Sequence, residues 1–338
     1  PPGIKLVSVD PHSGLRSSGG GAILEAFKPG TAPPDSYSGG NGSGGASQLN
    51  GVRELAVRVF DRPVRLGKPQ RAPHLADAAS GPAFDRLFLQ GMIQHHQGAL
   101  AVQEAYGDKV EIAWQENVPE GADAERVLTQ MALSGCNIIF TTSFGYMDPT
   151  NAVAAKFPDI KFEHATGYKT AANVATYNSR FYEGRFINGQ IAGKMSKTGV
   201  AGYIASFPIP EVVMGINAFA RGARSVNPNA EVRVIWVNSW YDPGKEREAA
   251  MTLISQGADM LTHHTDSTAT VQAAEEKGVH AFAYHSDMSK YGPKAQLTAT
   301  THHWGEFYTR TVNAVLDGTW KPEGVWGGMK DGMIKLAP

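Results

Sequence analysis

The sequence has little cysteine, little net charge and no long apolar run. Its 338 residues include one cysteine, Cys136, which excludes an internal disulfide framework and a CxxC-type metal site. No apolar stretch approaches the roughly 20 residues that a membrane-spanning helix needs. The formal net charge of -1 gives no basic field that would favour nucleic acid or an anionic membrane as a partner. The length allows two domains, and the composition is ordinary for a soluble globular protein.

Motifs of catalysis and metal binding are also missing. The chain has no HExxH zinc motif, no GxSxG nucleophile elbow and no phosphate-binding P-loop. Histidine pairs occur at 263–264 and 302–303, but adjacent residues on a strand point to opposite faces, so each pair could donate at most one metal ligand. We therefore expect no metal, no cofactor and no catalytic residue. Carboxylates at strand ends leave glycosidic-bond hydrolysis open as the enzyme alternative.

The first hundred residues differ in composition from the rest. Of residues 1–50, 17 are glycine or proline, and 36–48 has the composition of a flexible linker. We place the main boundary near 100–108. The chain begins at Pro1 without a methionine or a signal peptide, so we expect a processed or partial product.

From about Ala105 onward, short β-rich runs alternate with amphipathic helices. The alternation predicts strands at 109–115, 137–143, 161–166, 200–206, 231–237, 259–264, 280–285 and 297–302, and helices at 122–134, 149–157, 178–196, 210–225, 243–256, 268–277 and 304–317. Such alternation implies parallel sheets with right-handed crossovers, here two doubly wound α/β lobes joined in mid-chain. In these sheets a ligand binds beyond the carboxyl ends of the strands.

Aromatic and acidic residues recur after the predicted strands. A flat heteroaromatic ligand suits this set, because rings such as Phe207 and Trp240 could sandwich it while Asp or Asn side chains read its N–H edges. Each acidic residue alone could equally be a helix N-cap. The candidate ligand-binding residues are Phe144, Tyr146, Asp148, Phe207, Trp240, Asp242, Asp266, Asp287, His302 and Trp304.

Several long segments from Ala105 to Pro338 resemble the basic membrane protein family, the purine-nucleoside receptor group of ABC-transporter substrate-binding proteins. They include IIFTTSFGYMDPT (138–150), NSRFYEGRFINGQIAGKMSKTG (178–199), WVNSWYDPGKE (236–246) and SDMSKYGPKAQLTA (286–299). The resemblance implies a type I periplasmic-binding-protein fold whose two lobes close on a ligand about a hinge of crossing segments. It also implies delivery of the ligand to a membrane permease with an ATPase.

The resemblance suggests roles for particular residues. The NSWYD stretch points to Trp240 as a ring that stacks on a base, and TTSFGYMD points to Phe144 and Asp148 as base-reading residues. Asp266 and Asp287 resemble polar ligand contacts. Nucleoside-binding members commonly carry a lysine where this chain has His302, which favours a free base such as adenine.

Residues 1–104 depart from that family, whose members open with a first β-strand and a GDxGW-like loop. Instead, 1–37 is similar to the C-terminal end of class A penicillin-binding proteins, 46–69 to an actin-like cell-division ATPase, and 84–104 to a His-rich helical family of unknown function. None is a whole domain, so we expect a composite chain without catalysis here. Residues 52–60 suggest a helix, and 62–67 could be an edge strand.

We divide the remainder into an N-terminal lobe (105–198 plus about 286–318) and a C-terminal lobe (199–285 plus about 319–338), with hinges near 198–201 and 285–298. The favoured function is an exported, monomeric binding protein of the periplasm or cell envelope that holds a purine base or nucleoside and serves an ABC permease and ATPase. The alternatives are a nucleoside-processing hydrolase, a chimeric chain with an incomplete pocket, and an envelope interaction module built from residues 1–104.

Overall fold

The computed structural model describes residues 54–59, 95, 98–115 and 118–338, and these form two six-stranded sheets with helices on both faces. The first sheet has the order β11-β5-β4-β3-β1-β2, and the second has the order β12-β10-β9-β8-β6-β7. The strands are Glu54–Val59 (β1), Val110–Gln115 (β2), Ile138–Thr141 (β3), Lys161–Ala165 (β4), Val174–Ser179 (β5), Val200–Ala205 (β6), Glu231–Trp236 (β7), Met260–His264 (β8), His280–His285 (β9), Gln296–His302 (β10), Val325–Gly327 (β11) and Ile334–Leu336 (β12).

Helices cover both faces of each sheet. They are 98–106 (α1), Ala122–Leu133 (α2), Met147–Lys156 (α3), Tyr182–Met195 (α4), Pro210–Val226 (α5), Pro243–Ser255 (α6), Ala269–Lys277 (α7) and Gly305–Leu316 (α8). Alternate residues of β3 show the layering, because Ile139 packs towards α2 and α3 while Ile138 and Phe140 pack towards α1 and α8. In the second sheet α6 and α7 cover one face, and α4 and α5 cover the other.

The predicted fold class is confirmed, with one antiparallel strand in each sheet. Strands β6 to β10 pair in parallel, as do β3, β4, β5 and β11. Strand β12 runs antiparallel to β10, and β1 runs antiparallel to both β2 and β3. Parallel pairing brings the carboxyl ends of β6 to β10 to one edge, as the crossover rule requires.

The prediction of a helix at 52–60 is wrong, because Glu54–Val59 is a strand between β2 and β3. Its apolar residues Leu55, Val57 and Val59 have the period of two that a strand requires. The predicted edge strand at 62–67 lies outside the described residues. Strands β5, β11 and β12 were not predicted, because β11 and β12 have only three residues each and β5 (VATYNS) lacks a long apolar run.

The predicted division into lobes is also corrected. Strand β10 belongs to the second sheet, although 286–318 had been assigned to the first lobe, and β11 belongs to the first sheet. Helix α8 does pack on the first sheet. The chain therefore passes between the sheets after β5, after β10 and after β11, so the predicted hinge at 198–201 lies wholly within the second lobe.

One crossing is fastened by an arginine. Arg180, between β5 and α4, donates hydrogen bonds to Glu183 Oε1 (2.6 Å), Asp331 Oδ2 (2.9 Å) and the Trp326 carbonyl (2.6 Å). Asp331 lies in the β11–β12 connection. Two of the three crossing segments are thus joined by a single side chain.

Candidate functional site

A row of rings follows the carboxyl edge of the second sheet. Phe207, after β6, lies 5.2 Å from Trp240, after β7, between ring centroids. Trp240 lies 6.3 Å from His264 at the end of β8, and His264 lies 4.2 Å from Tyr284 on β9. Because Phe207 and Trp240 are only half-buried, they offer ring surface to a planar ligand.

The row continues into the crossing segments between the sheets. Phe181 lies 5.0 Å from Tyr284, and His302 is stacked between Phe181 at 4.5 Å and Trp304 at 4.9 Å. His302 Nδ1 lies 3.1 Å from the Ser179 hydroxyl. Burial lowers the pKa of His302 well below its ordinary value, so this ring is neutral. His302 and Trp304 thus lie together where the chain crosses between sheets.

Several buried polar atoms along this edge have no hydrogen-bond partner within the described part of the protein. They are Ser206 Oγ, His264 Nδ1, His285 Nδ1, Ser286 Oγ and Trp304 Nε1. An unpaired buried polar group costs about 1–3 kcal/mol, so proteins rarely collect them at one place without a purpose. Their concentration at one edge favours a ligand that supplies the partners.

Strained backbone occurs at or just after the carboxyl ends of three strands. Among the residues that the structure describes, three other than glycine have positive φ: Thr166 (63°), Asn238 (50°) and His285 (49°). Thr166 and Asn238 follow β4 and β7, and His285 ends β9. At His285 the Ser286 N–H donates to the Tyr284 carbonyl at 2.6 Å, which closes a γ-turn. Strained backbone at strand ends is typical of ligand-binding sites.

Two histidines of the edge face carboxylates. His264 Nε2 lies 3.5 Å from Glu211 Oε1, and His285 Nε2 lies 3.4 Å from Asp266 Oδ1. Both separations are long for hydrogen bonds, so the pairs are loose in this conformation. Burial lowers the pKa of His264 although Glu211 opposes the shift. His264 is therefore neutral near pH 7 and can both donate and accept a hydrogen bond.

The guanidinium of Arg185, on α4, packs against rings of this row. Its guanidinium lies 5.0 Å from the Phe181 ring, 5.4 Å from the Tyr203 ring and 5.1 Å from the Tyr284 ring. It is fully buried, and it donates to Thr262 Oγ1 at 2.7 Å and to the carbonyl of His263. Sequence reasoning missed Arg185, because an arginine in an amphipathic helix is ordinarily a surface residue.

Sequence reasoning also missed Glu246 of α6, because a glutamate in an amphipathic helix is ordinarily a surface residue. Its Oε2 accepts the hydroxyls of Thr265 (2.8 Å) and Ser267 (2.7 Å), and its Oε1 accepts the Asp242 N–H at 3.0 Å. Burial raises the pKa of Glu246 to about 7, although these hydrogen bonds oppose the shift. The carboxylate therefore joins the segment after β7 to the segment after β8.

The first lobe contributes fewer rings at its own carboxyl edge. Phe144, after β3, is half-buried and lies 6.4 Å from the exposed Tyr168. Ser143 Oγ donates to Glu120 Oε1 at 2.6 Å. Asp148 is exposed and pairs with Lys169 at 2.7 Å. Among the described residues, Phe144 and Tyr168 are the rings that this edge offers a ligand.

The structure gives three predicted site residues other roles. Tyr146 is fully buried in the first lobe's core, and its hydroxyl donates to the Val118 carbonyl, so it has no surface for a ligand. Asp242 caps α6 by accepting the Lys245 N–H at 3.0 Å. Asp287 is exposed and accepts the Ser289 N–H at 2.9 Å. Asp242 thus has the helix-capping role that sequence reasoning had weighed as the alternative, whereas Asp287 binds a backbone N–H in the turn that follows it.

Phe207, Trp240 and Asp266 are brought together by the fold. The Asp266 N–H donates to the Trp240 carbonyl at 2.8 Å, so the segments after β7 and β8 are in contact. Within the described ranges, no three His, Cys, Asp or Glu side chains are grouped so that they could hold a metal ion. No helix in those ranges is long and apolar enough to cross a membrane.

Known proteins resemble the chain over this same region. A family model described as ABC transporter substrate-binding protein, PnrA-like, matches residues 90–338. A purine-binding protein of Brucella abortus is 60% identical over 245 residues, which cover 72% of this chain and 70% of that protein. A Haloferax volcanii protein named for glucose binding in an ABC transporter is 45% identical over 242 residues, covering 72% of this chain and 61% of that protein.

Solved structures share the fold at lower identity. A solute-binding protein of an ABC transporter system from Aeropyrum pernix superposes with a TM-score of 0.65 at 20% identity, covering 75% of this chain and 74% of that one. A transcriptional activator of the comK gene from Bacillus halodurans gives 0.62 at 23% identity, covering 73% and 86%. The fold and the extent of the family match lead to one conclusion: the chain belongs to the PnrA-like family of ABC transporter substrate-binding proteins.

Proposed function

We propose that this substrate-binding protein holds a purine between its lobes, with the base stacked against Phe207 and Trp240. The observation that carries the proposal is the half-buried ring pair beside the unpartnered polar atoms of His264, His285 and Ser286. A planar base has both a ring face for stacking and a polar rim for hydrogen bonds. The 60% identity to a protein named for purine binding supports the same ligand class.

A free base such as adenine fits better than a nucleoside. The position at which nucleoside-binding relatives commonly carry a lysine is His302, which is neutral and stacked between two rings. It therefore provides no cation for ribose hydroxyls. Asp266, with 27% of its side chain exposed, is the carboxylate best placed to accept an N–H of the base.

In the cell, the protein acts as an exported monomer of the periplasm or cell envelope and carries its ligand to a permease with an ATPase. It binds without chemical change to the ligand. Lobe closure brings Phe144 and Tyr168 of the first lobe towards the rings of the second. This role rests on the family, whose members serve ABC transporters.

A hexose is the second candidate, because a relative at 45% identity is named for glucose binding. Aromatic rings flanked by carboxylates and histidines can also stack on a sugar face and bind its hydroxyls. A base and a sugar differ in one respect that an experiment can use: binding of the purine depends more strongly on stacking against an aromatic ring.

The test measures the thermal midpoint and the heat of binding of the purified protein with adenine, guanine, adenosine, guanosine and glucose. A ligand at about 100 times its dissociation constant stabilises the folded state by roughly 2.7 kcal/mol. We expect the largest rise with adenine. A rise with glucose alone would replace the purine proposal by the hexose, and no rise with any of them would overturn both. Ribose release from inosine would establish the hydrolase alternative.

A further inference from the structure

We infer that Glu246 is a positioning residue for ligand binding: it holds together the Trp240 loop (residues 237–242) and the Asp266 loop (residues 265–268) without touching the ligand. The inference rests on the proposed function, because these loops carry the proposed stacking ring and the proposed polar reader. Nothing in the sequence pattern separates Glu246 from Glu248, the other acidic residue of α6.

The contacts of Glu246 divide between the two loops. From the Trp240 loop it receives the Asp242 N–H at 3.0 Å. From the Asp266 loop it receives the hydroxyls of Thr265 and Ser267 at 2.8 and 2.7 Å, and the Ser267 N–H at 3.3 Å. Four donors thus converge on one fully buried carboxylate. Hydrogen bonds to a charged acceptor are about twice as strong as neutral ones.

The two loops also bond directly, through the Asp266 N–H and the Trp240 carbonyl at 2.8 Å. This bond is a single backbone contact, and it fixes one point of each loop. The Glu246 carboxylate fixes Asp242 on one side and Thr265 and Ser267 on the other. Together they set the separation of the Trp240 ring and the Asp266 carboxylate, the two groups that a base would contact at once.

The experiment compares Glu246→Gln with Glu163→Gln in the full chain. Glu163 is the matched control, because it is also a buried glutamate with a raised pKa, but it lies in the first sheet and accepts the Trp320 indole N–H. With adenine as the probe, we expect Glu246→Gln to weaken binding about tenfold, since the amide replaces one acceptor by a donor facing donors. Glu163→Gln is expected to leave affinity within about twofold.

A second, more conservative variant tests the inference even if Glu246→Gln does not fold. Thr265→Val keeps the shape of the side chain and removes one donor, and we expect it to weaken adenine binding about threefold. In a Trp240→Ala background the further loss caused by Glu246→Gln is expected to shrink to about threefold, because one of the two positioned groups is gone. Full additivity with Trp240→Ala, or equal losses in the Glu246 and Glu163 variants, would overturn the inference.

Hydrogen exchange of the ligand-free proteins separates this inference from the proposed function. The amides of Asp242, Asp266 and Ser267 should exchange faster in Glu246→Gln than in wild type, with no such change in Glu163→Gln. Suppose that the wild-type protein binds neither a purine nor glucose, but that these amides exchange faster in Glu246→Gln. The proposed ligand is then wrong, while the role of Glu246 in holding the two loops together is supported. If wild type binds adenine and Glu246→Gln changes neither the affinity nor the exchange rates, Glu246 does not position the loops.

Discussion

The two sheets are assembled from the same βαβ units, yet β1 of the first sheet runs against its neighbours. In the second sheet β6 to β10 are parallel, so each sends its following loop to the same edge. In the first sheet β1 is antiparallel to β3, and Glu54 at its start pairs with Thr141 at the end of β3. A strand in that direction begins at the edge where β3 ends, and it ends at the opposite edge.

This difference explains why most of the candidate site lies in the second lobe. Five loops meet at the carboxyl edge there and bring Phe207, Trp240, Asp266 and His285 together. The first lobe offers Phe144 and Tyr168. We therefore expect ligand binding to depend unequally on the two lobes.

The largest loss of stability from a single substitution is expected from removing the buried guanidinium of Arg185, which packs against the rings. Arg185→Leu removes a donor to Thr262 and a cation that contacts three ring faces. We expect the free energy of unfolding to fall by about 3 kcal/mol, the upper part of the usual range for single substitutions. Urea denaturation measures it. Arg126→Ala, which removes an exposed ion pair with Asp123, should change it by less than about 0.5 kcal/mol.

The difference between the two lobes is supported if Arg185→Leu lowers the urea midpoint of the second lobe alone. Hydrogen exchange in urea reports the two lobes separately, through the amides of β4 in the first sheet and of β8 in the second. Equal loss in both lobes would mean that the rings at the crossing segments couple them into one unit. An unchanged midpoint would mean that Arg185 contributes nothing beyond filling space.

The next prediction is a pH dependence of the free energy of unfolding, which arises from a glutamate in the first lobe. Burial raises the pKa of Glu163 from 4.5 to about 8, although the Trp320 hydrogen bond opposes the shift. The folded state therefore binds more protons than the unfolded state between these values. Stability from this group is complete below about pH 4.5 and is lost as the pH rises towards 8, at up to about 1.4 kcal/mol per pH unit.

Glu163→Gln should remove that loss, because the amide stays neutral and can still accept the Trp320 N–H. Urea unfolding at pH 5 to 8 measures the slope in wild type and variant. The pKa of Glu246 is raised only to about 7, so its contribution has the same sign and ends at a lower pH. A slope that is unchanged by Glu163→Gln would assign the pH dependence to other groups.

How far the sequence predicts this molecule differs between the same two regions. Strands β6 to β10 were predicted within one or two residues, because buried strands and amphipathic helices alternate there with clear periods. Strand β1 was misread as a helix, since its membership of a sheet depends on pairing with β2 and β3, and such distant partners are not visible in a local pattern. Phe207, Trp240 and Asp266 were proposed as site residues because they follow strands, and the fold places them near one another.

Tyr146 and Asp242 show the limit of that reasoning. Both follow strands, but Tyr146 turns into the core and Asp242 caps a helix, and position alone does not distinguish these outcomes. Arg185 and Glu246 show the converse. Each is a charged residue within a helix, and only the packing of α4 and α6 against the sheet reveals that it is buried at the edge of the site.

Replacing the stacking ring is the third test. Trp240→Ala should weaken adenine binding by about 2 kcal/mol, because stacking of a base on an aromatic ring contributes about 1–3 kcal/mol. Titration calorimetry measures the loss, and the thermal midpoint of the ligand-free protein shows whether the fold is intact. The same substitution should affect glucose less. An unchanged affinity for adenine would remove Trp240 from the site.

The smallest effect is expected at the matching ring of the first lobe. Phe144 is half-buried and its nearest ring, Tyr168, is 6.4 Å away, whereas the Phe207 and Trp240 rings are 5.2 Å apart. Phe144→Ala should therefore weaken adenine binding by less than about 1 kcal/mol in the same calorimetric titration. A loss equal to that of Trp240→Ala would contradict the unequal arrangement. It would mean that lobe closure encloses the ligand between rings of both lobes although β1 runs antiparallel to β3.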